Sequence, residues 1–322
     1  MLKVSIIIPA YNSGTSIERA IKSVLEQTRR DYELIVVDDG STDCTRLVLD
    51  PYIQSDDIRY IWQPNAGPSK ARNTGAGVAK GEYLLFLDAD DQMYSCRLQE
   101  QITFMDLNKD VLLGFADLDV LSPSNNQYGL SVFERNSALM TYSHKITDKW
   151  FMLNERLIIP ILRHPFIHTS SVIVRQHAFK RVNGYNEEFR NAEDLLFYIS
   201  ISLIGKIGYT SCRVGVVVET PESLCRNTLR ASLGHANACL VVLKTVSSLT
   251  KIETMVCRQT ASEAFWSAGY YLFQNSELRQ SRKYFTMSMS YSFSVRVLIY
   301  WMASFCELRL LNFARGLKHN LR

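Results

Sequence analysis

Three carboxylates, Asp88, Asp90 and Asp91, stand within four positions directly after the apolar run Leu84-Leu85-Phe86-Leu87. Asp88 and Asp90 are two apart, so an extended backbone points them the same way. Carboxylates held that close repel, and one takes up a proton unless a cation joins them. Such a pair suits a hard divalent ion, Mg2+ or Mn2+, which prefers oxygen ligands and leaves positions open for phosphate oxygens. A solvated acidic turn after a strand would contain the same residues. Two further acidic pairs accompany them: Asp38 and Asp39 close the apolar run Tyr32 to Val37, and Glu193-Asp194 precede the apolar stretch Leu195 to Leu203. Both have ordinary explanations too, as turn-forming acids and as acids favoured at a helix N-terminus.

The surrounding sequence shows what must position these groups. Lys3 to Ile8 is a β-branched run ended by Pro9, and reads as a first buried strand. The loop Pro9-Ala10-Tyr11-Asn12-Ser13-Gly14 follows. Thr15-Ser16-Ile17-Glu18 fits a capping box, and Ile17, Ala20, Ile21, Val24 and Leu25 repeat on one helical face. Tyr32 to Val37 and Ile58 to Trp62 are further strands. Gly67-Pro68-Ser69-Lys70-Ala71-Arg72-Asn73 opens a helix reaching about Lys80, and the acidic strand end comes next. Alternating strands and helices predict a mostly parallel sheet wrapped by helices. Right-handed crossovers then bring Tyr11, Asp39 and Asp90 to one rim, the edge at which open α/β sheets bind ligands.

Later elements are expected at Arg97 to Met105 (helix), Asp110 to Phe115 (strand) and Trp150 to Ile161 (helix). Ser171 to Arg175 reads as a strand, and Asn191-Ala192-Glu193-Asp194 as the opening of an apolar helix. Late strands are expected at Lys206 to Tyr209 and Val214 to Val218. Leu121 to His144 is polar and irregular, a loop or hairpin over the site. Beyond about Arg226 the pattern turns to long helices. This predicts two domains, 1–225 and 226–322, the second a helical extension associated with acceptor or membrane.

Of the 322 residues 47% are apolar, enough for a large core, and the net charge of +4 is too mild to argue for nucleic acid. The seven cysteines include no CxxC pair, which suits a reducing compartment and gives no zinc or disulfide framework. No signal peptide and no membrane span is legible. Charge is uneven, however: from Glu277 to Arg322 eight basic residues face two acids. Val295 to Leu317 mixes large apolar residues with Arg309 and Arg315. It reads either as an amphipathic helix on an anionic membrane or as a packing helix with a solvated basic face.

Five short motifs then coincide in order and spacing: Val4-Ser5-Ile6-Ile7-Ile8-Pro9-Ala10-Tyr11-Asn12, Ser23-Val24-Leu25-Glu26-Gln27-Thr28, Val36-Val37-Asp38-Asp39-Gly40-Ser41-Thr42-Asp43, Gly67-Pro68-Ser69-Lys70-Ala71-Arg72-Asn73-Thr74-Gly75, and Ala79-Lys80-Gly81-Glu82-Tyr83 leading into Asp88-Ala89-Asp90-Asp91. Together they resemble family 2 of the nucleotide-sugar glycosyltransferases. The match is dense over residues 3 to 100 and thins to Val172-Ile173-Val174-Arg175, Gly184-Tyr185 and Glu193-Asp194. The resemblance implies an α/β GT-A (Rossmann-like) fold and an inverting, metal-dependent enzyme. Its donor would be a nucleotide-diphosphate sugar, UDP-linked, bound by Pro9, Tyr11, Asp38, Asp39, Lys70, Arg72, Asp88, Ala89 and Asp90. Tyr11 would stack on the base and Asp39 accept a hydrogen bond from it. Lys70 and Arg72, at a helix start, are placed to meet diphosphate. Asp90, with Asp88, would hold Mg2+ or Mn2+, and Asp194 would be the general base.

The implied acceptor is a glycan or lipid-linked glycan, as in O-antigen or capsule synthesis. That implies a cytoplasmic protein, with the inner face of the cell membrane as the alternative. Two other readings stay open: a sugar nucleotidyltransferase, which would need a basic Gly-rich loop that Pro9 to Gly14 lacks, and a non-catalytic glycan-binding protein.

Overall fold

The computed structural model describes residues 2–122, 127–154, 156–189, 191–219 and 228–305. The chain divides into two compact units, Met1–Pro221 and Glu222–Arg322. The first unit opens with β1 (Val4–Ala10), α1 (Ile17–Leu25), β2 (Tyr32–Asp38), α2 (Thr45–Gln54), β3 (Arg59–Trp62), α3 (Pro68–Val78) and β4 (Tyr83–Phe86). These four strands lie in the order β3-β2-β1-β4, all parallel. Both faces of β1, β2 and β4 are covered, which is why these strands read as unbroken apolar runs, whereas the edge strand β3 is partly exposed. Ile6, Ile8, Val36 and Leu85 share one core with Ala20 and Ile21 of α1. On the opposite face α3 lies so close that a side-chain carbon at Gly75 would sit 2.6 Å from Ile7. The Phe86 ring packs there against Phe179 and Tyr185.

The sheet continues through β5 (Gln92–Met93), α4 (Arg97–Leu107), β6 (Val111–Ser122), β7 (Gln127–Tyr128), β8 (Ser143–Lys145), β9 (Trp150–Leu153), α5 (Ile158–Arg163), β10 (Ile173–Arg175), α6 (Gln176–Arg181), α7 (Glu193–Ser202) and β11 (Lys206–Val218). The main strand order is β3-β2-β1-β4-β10-β6-β11-β9-β8, with β5 pairing β11 and β7 pairing β6 off this path. β10 runs antiparallel to both β4 and β6, so the sheet is parallel in its first half and mixed beyond it. Leu98, Ile102 and Met105 of α4 are fully buried, as their spacing predicts.

Three local expectations change. Trp150 to Ile161 is not one helix: Trp150–Leu153 forms β9, pairing antiparallel with β11 and β8, and only Ile158–Arg163 is helical. A four-residue apolar run does not distinguish strand from helix by period, and here edge pairing decided. The two late strands are one, β11, interrupted by register shifts. The capping box before α1 does not form. Ser16 caps without a side-chain bond, its hydroxyl donates to the Ser13 carbonyl, and Glu18 pairs with Lys22 instead.

The second unit holds α8 (Thr228–Thr245), α9 (Lys251–Gln274), α10 (Leu278–Tyr291) and α11 (Val295–Ala303). A complete capping box starts α9: the Glu253 amide donates to Thr250 Oγ1 and the Thr250 amide to Glu253 Oε2. Gly269 lets α10 approach, since a side-chain carbon there would stand 2.7 Å from the Phe285 ring. The expected domain break near Arg226, and the basic residues Arg309 and Arg315, lie outside the described residues.

Candidate active site

The carboxyl ends of β2, β1 and β4 lie side by side, and each runs into a loop rich in polar groups. Pro9 occupies a telling place. Its strand is central, yet the ladder with β4 has already ended at the Ile7–Phe86 pair. Pro9 therefore withholds no ladder hydrogen bond, which makes proline tolerable there. Tyr11, just beyond β1, is 52% exposed and presents its ring at the rim.

The loops after β1 and β2 are tied together. The Asn12 amide donates to Ser41 Oγ, the Thr42 amide to Asn12 Oδ1, and the Gly14 amide to Asp43 Oδ2. Gly40 turns with φ +77, a conformation costly for other residues. Asp38 is buried and accepts from the Ser41 amide and the Tyr60 hydroxyl. Asp39 is also buried. Its carboxylate accepts from Gln63 Nε2 at 2.6 Å and from the amides of Ala66 and Gly67 at 2.9 and 2.8 Å. These bonds fasten the start of α3 to the end of β2.

α3 carries the next two residues. Lys70 is exposed and pairs with Glu187 at 3.2 Å. Arg72 points inward and is 5% exposed. The sequence places it toward a diphosphate, but its guanidinium donates to Asp88 Oδ1 and to Glu193 Oε1, each at 2.8 Å, with Tyr185 lying against it. Its Nε is buried without a partner. Burial opposes the charge of Arg72, but Asp88 and Glu193 outweigh it and raise its pKa well above the usual value. Arg72→Met should lower unfolding stability by about 3–5 kcal/mol, because it leaves buried Glu193 without its cation. Urea denaturation checks this, and a loss below about 1 kcal/mol would show that the site relaxes to hydrate the acid.

After β4 the chain turns tightly. The Asp91 amide donates to the Asp88 carbonyl, and the Asp88 amide to Ser170 Oγ. Ala89 is buried within this turn. Burial works against the charge on Asp88, but Arg72 and then His168 more than compensate, so its pKa is lowered. Asp90 lacks such a partner, and burial followed by the charges of Asp91 and Asp88 pushes its carboxyl up to about 7. Asp91 also reaches about 7, through burial and Asp88, despite accepting from the Val218 amide. Arg97, fully buried behind it, supplies a compensating positive charge.

Asp194 begins α7 beside Glu193. Ala192, just before, takes the left-handed conformation at φ 62, a strained choice for alanine. Burial and the neighbouring Glu193 charge push the Asp194 carboxyl up to about 6, against the Leu195 amide, Arg72 and His168. His168 is close enough to feel Asp88, Asp194 and Asp90, yet burial still lowers its pKa. The structure thus gathers Arg72, Asp88, Asp90, Asp91, His168, Glu193 and Asp194 into one cluster. The loops of Tyr11 and Asp39 adjoin it along the same strand ends.

The sequence alone assigns no role to Asp91, Glu193 or the Asp88 partner Ser170, and reads His168 as a packed residue that could touch the acceptor. Asp91 was legible in the Asp-x-Asp-Asp string and Glu193 beside Asp194. His168 and Ser170 carried no distinguishing local signal. Among the described residues no group of three or more His, Cys, Asp or Glu side chains is arranged to enclose a metal by itself.

A parallel α/β half carrying acids at its strand ends, extended by an antiparallel strand, makes a GT-A-like fold. Residues 5–162 match the family model described as Glycosyl transferase family 2, and this stretch of the chain is of that family. An uncharacterized glycosyltransferase of Rickettsia felis is 42% identical over 206 residues, covering 64% of this chain and 31% of its own length. TuaG of Bacillus subtilis, a glycosyltransferase named for teichuronic acid biosynthesis, is 41% identical over 104 residues, covering 32% of this chain and 41% of its own. The chain spans 31%, 18% and 32% of three curated relatives from Rickettsia, a third or less of each. Among solved structures, Staphylococcus aureus TarS residues 1–349 in complex with UDP-GlcNAc has a TM-score of 0.61 at 20% identity, covering 94% of this chain and 79% of that one. The mannosyltransferase PcManGT of Pyrobaculum calidifontis, in complex with GDP-Man and Mn2+, has a TM-score of 0.56 at 16% identity, covering 93% and 87%. These likenesses show the fold.

Proposed function

We propose that the protein is an inverting glycosyltransferase moving a sugar from a nucleotide-diphosphate donor, UDP-linked, to a hydroxyl of a glycan or lipid-linked acceptor. The observation that carries this reading is the Arg72 bridge. It joins the acids after β4 to the acids opening α7, 121 residues away along the chain from Arg72 to Glu193. That link supports a reading in which Asp194, beside Glu193, is the general base and Asp88 with Asp90 the cation-binding pair of one site.

In this reading Asp194 accepts the proton of the acceptor hydroxyl. The hydroxyl oxygen forms its bond to the anomeric carbon from the face opposite the diphosphate. The bond from that carbon to the diphosphate oxygen breaks, and its electron pair leaves with the nucleoside diphosphate. A single displacement of this kind inverts the anomeric centre. Tyr11 offers a ring for the base to stack on. Asp39, whose carboxylate already accepts three hydrogen bonds, contributes its remaining acceptor capacity and holds the loop that starts α3. Lys70 is the exposed cation for diphosphate, and Arg72 is a positioning residue that sets Asp88 and Glu193.

The donor set fits a divalent ion. Asp90 and one oxygen of Asp88 are hard ligands, and the elevated Asp90 carboxyl marks negative charge in want of a counter-ion. Mg2+ or Mn2+ held there would offset the charge growing on the departing diphosphate. The distant likeness to PcManGT, solved with Mn2+, supports this choice.

The likeness to TuaG supports a surface-polysaccharide acceptor, O-antigen or capsule in our reading. No helix among the described residues is long and apolar enough to cross a membrane. We place the protein in the cytoplasm, at the inner face of the membrane where lipid-linked acceptors would stand. Residues 1–225 and 226–322 then act as catalytic domain and helical extension.

Thermal unfolding with nucleotide sugars tests the donor. A UDP-sugar with Mn2+ should raise the melting point, since a ligand bound only to the native state stabilises it. The same mixture with a glycan acceptor should release UDP. Release of pyrophosphate from nucleoside triphosphate would instead identify a nucleotidyltransferase, and donor binding without turnover on any acceptor a non-catalytic binder.

A further inference from the structure

The unit Glu222–Arg322 exposes an apolar face on its last described helix. Val295, Ile299 and Met302 are 63, 54 and 50% exposed, and their spacing puts them on one side of α11. Phe293 before them and Phe305 after them are 68 and 59% exposed. The helix is nevertheless firmly seated by its other side. Val297 is buried, and the Tyr300 ring packs against Phe273 and Tyr270 at 5.4 and 5.3 Å. Exposed apolar residues are ordinary when scattered singly, whereas five large ones within one short segment mark a contact surface.

Charge identifies what the surface contacts. From Leu278 to Phe305 the chain carries Arg279, Arg282, Lys283 and Arg296 and no acid. Arg282 lies over the Phe305 ring at 4.5 Å and Arg296 over the Trp266 ring at 4.1 Å, so aromatic faces hold these cations rather than carboxylates. Next to Phe293, residues Tyr291 and Ser292 line a cavity of about 410 Å³ together with Lys251 and Arg258, and no acid lines it. A second copy of this face would set these cations against the same charges. An anionic bilayer supplies both requirements, an apolar boundary for the α11 side chains and phosphates for the cations.

We propose that α11 and the adjoining ends of α9 and α10 form a docking surface for an anionic lipid bilayer. Val295, Ile299, Met302 and the two flanking phenylalanines enter the interface, and Arg279, Lys283, Lys251 and Arg258 meet lipid phosphates. This goes beyond the donor and acceptor chemistry proposed above, and its test does not use transfer activity.

The test is flotation of the full chain with vesicles of phosphatidylcholine, with and without phosphatidylglycerol. The wild-type chain should bind the mixed vesicles at least about tenfold more strongly than phosphatidylcholine alone, and high salt should weaken that binding. The double variant Ile299→Ser/Met302→Ser should lose about tenfold in binding with an unchanged melting point, because both positions face solvent. As a second probe, Arg279→Gln/Lys283→Gln should lose the preference for phosphatidylglycerol. Undiminished vesicle binding by both double variants would overturn the proposal. So would a wild-type dimer in sedimentation that the apolar double variant dissociates while neither binds vesicles.

Discussion

Asp194→Asn should reduce transfer by about a hundred- to ten-thousandfold, the range that a positioned general base contributes. Donor binding should change little, because the amide keeps the size of the carboxylate and the donor meets other residues. Burial and Glu193 hold the Asp194 carboxyl at about 6, higher than a free aspartate, which makes it a better proton acceptor while leaving it ionised at neutral pH. In the proposed mechanism the carboxylate is the active species, so wild-type kcat should fall as pH drops through about 6, by about tenfold per unit below it. Asp194→Glu should restore part of the rate with a shifted acid limb. Single-turnover transfer at several pH values separates these outcomes. An Asp194→Asn variant within tenfold of wild type, or a flat profile between pH 5 and pH 7 on the order of that range, would remove the base from the reading.

The reach of the sequence differed between fold and site for a physical reason. Strands β1, β2 and β4 are buried on both faces, so their apolar runs are continuous and legible without knowing their neighbours. β9 is not of that kind. Trp150–Leu153 is four residues long at the antiparallel margin, and only pairing with β11 and β8 made it a strand. In the site, the acids after β4 and at the start of α7 stand out locally because charge follows directly on, or leads directly into, an apolar segment. Their connection does not. Arg72 reads as a cation at a helix start, which suits phosphate. Its two carboxylate partners come from other elements, so no window of sequence around it reveals them. His168 is the sharper case. A histidine before Thr169-Ser170-Ser171 has no distinguishing pattern, and only the packing of β10 between β4 and β6 sets it among Asp88, Asp90 and Asp194.

Asp90→Ala should lower transfer on the order of a thousandfold, since the divalent ion proposed at Asp90 would supply several kcal/mol of leaving-group stabilisation. The fold should not suffer, and the direction of the stability change distinguishes this role from a structural one. Burial and the charges of Asp91 and Asp88 raise the Asp90 carboxyl to about 7, so the ionised form is disfavoured in the folded state. A carboxyl raised in this way costs stability as pH climbs through its folded value, and that cost is absent at lower pH. Metal-free Asp90→Ala should therefore melt at or above the wild-type temperature at pH 8, and the difference should shrink toward pH 5. A cation arriving at the wild-type site at pH 7 meets carboxyls that are partly protonated and must displace protons from them. Calorimetric titration with Mn2+ in buffers of different ionisation enthalpy should show that proton release in the wild type and a smaller one in Asp90→Ala. Near-normal turnover together with unchanged Mn2+ binding in the variant would move the ion elsewhere. A variant that melts well below wild type at pH 8 would instead make Asp90 part of the framework, and the acids after β4 would then owe their arrangement to Arg72 alone.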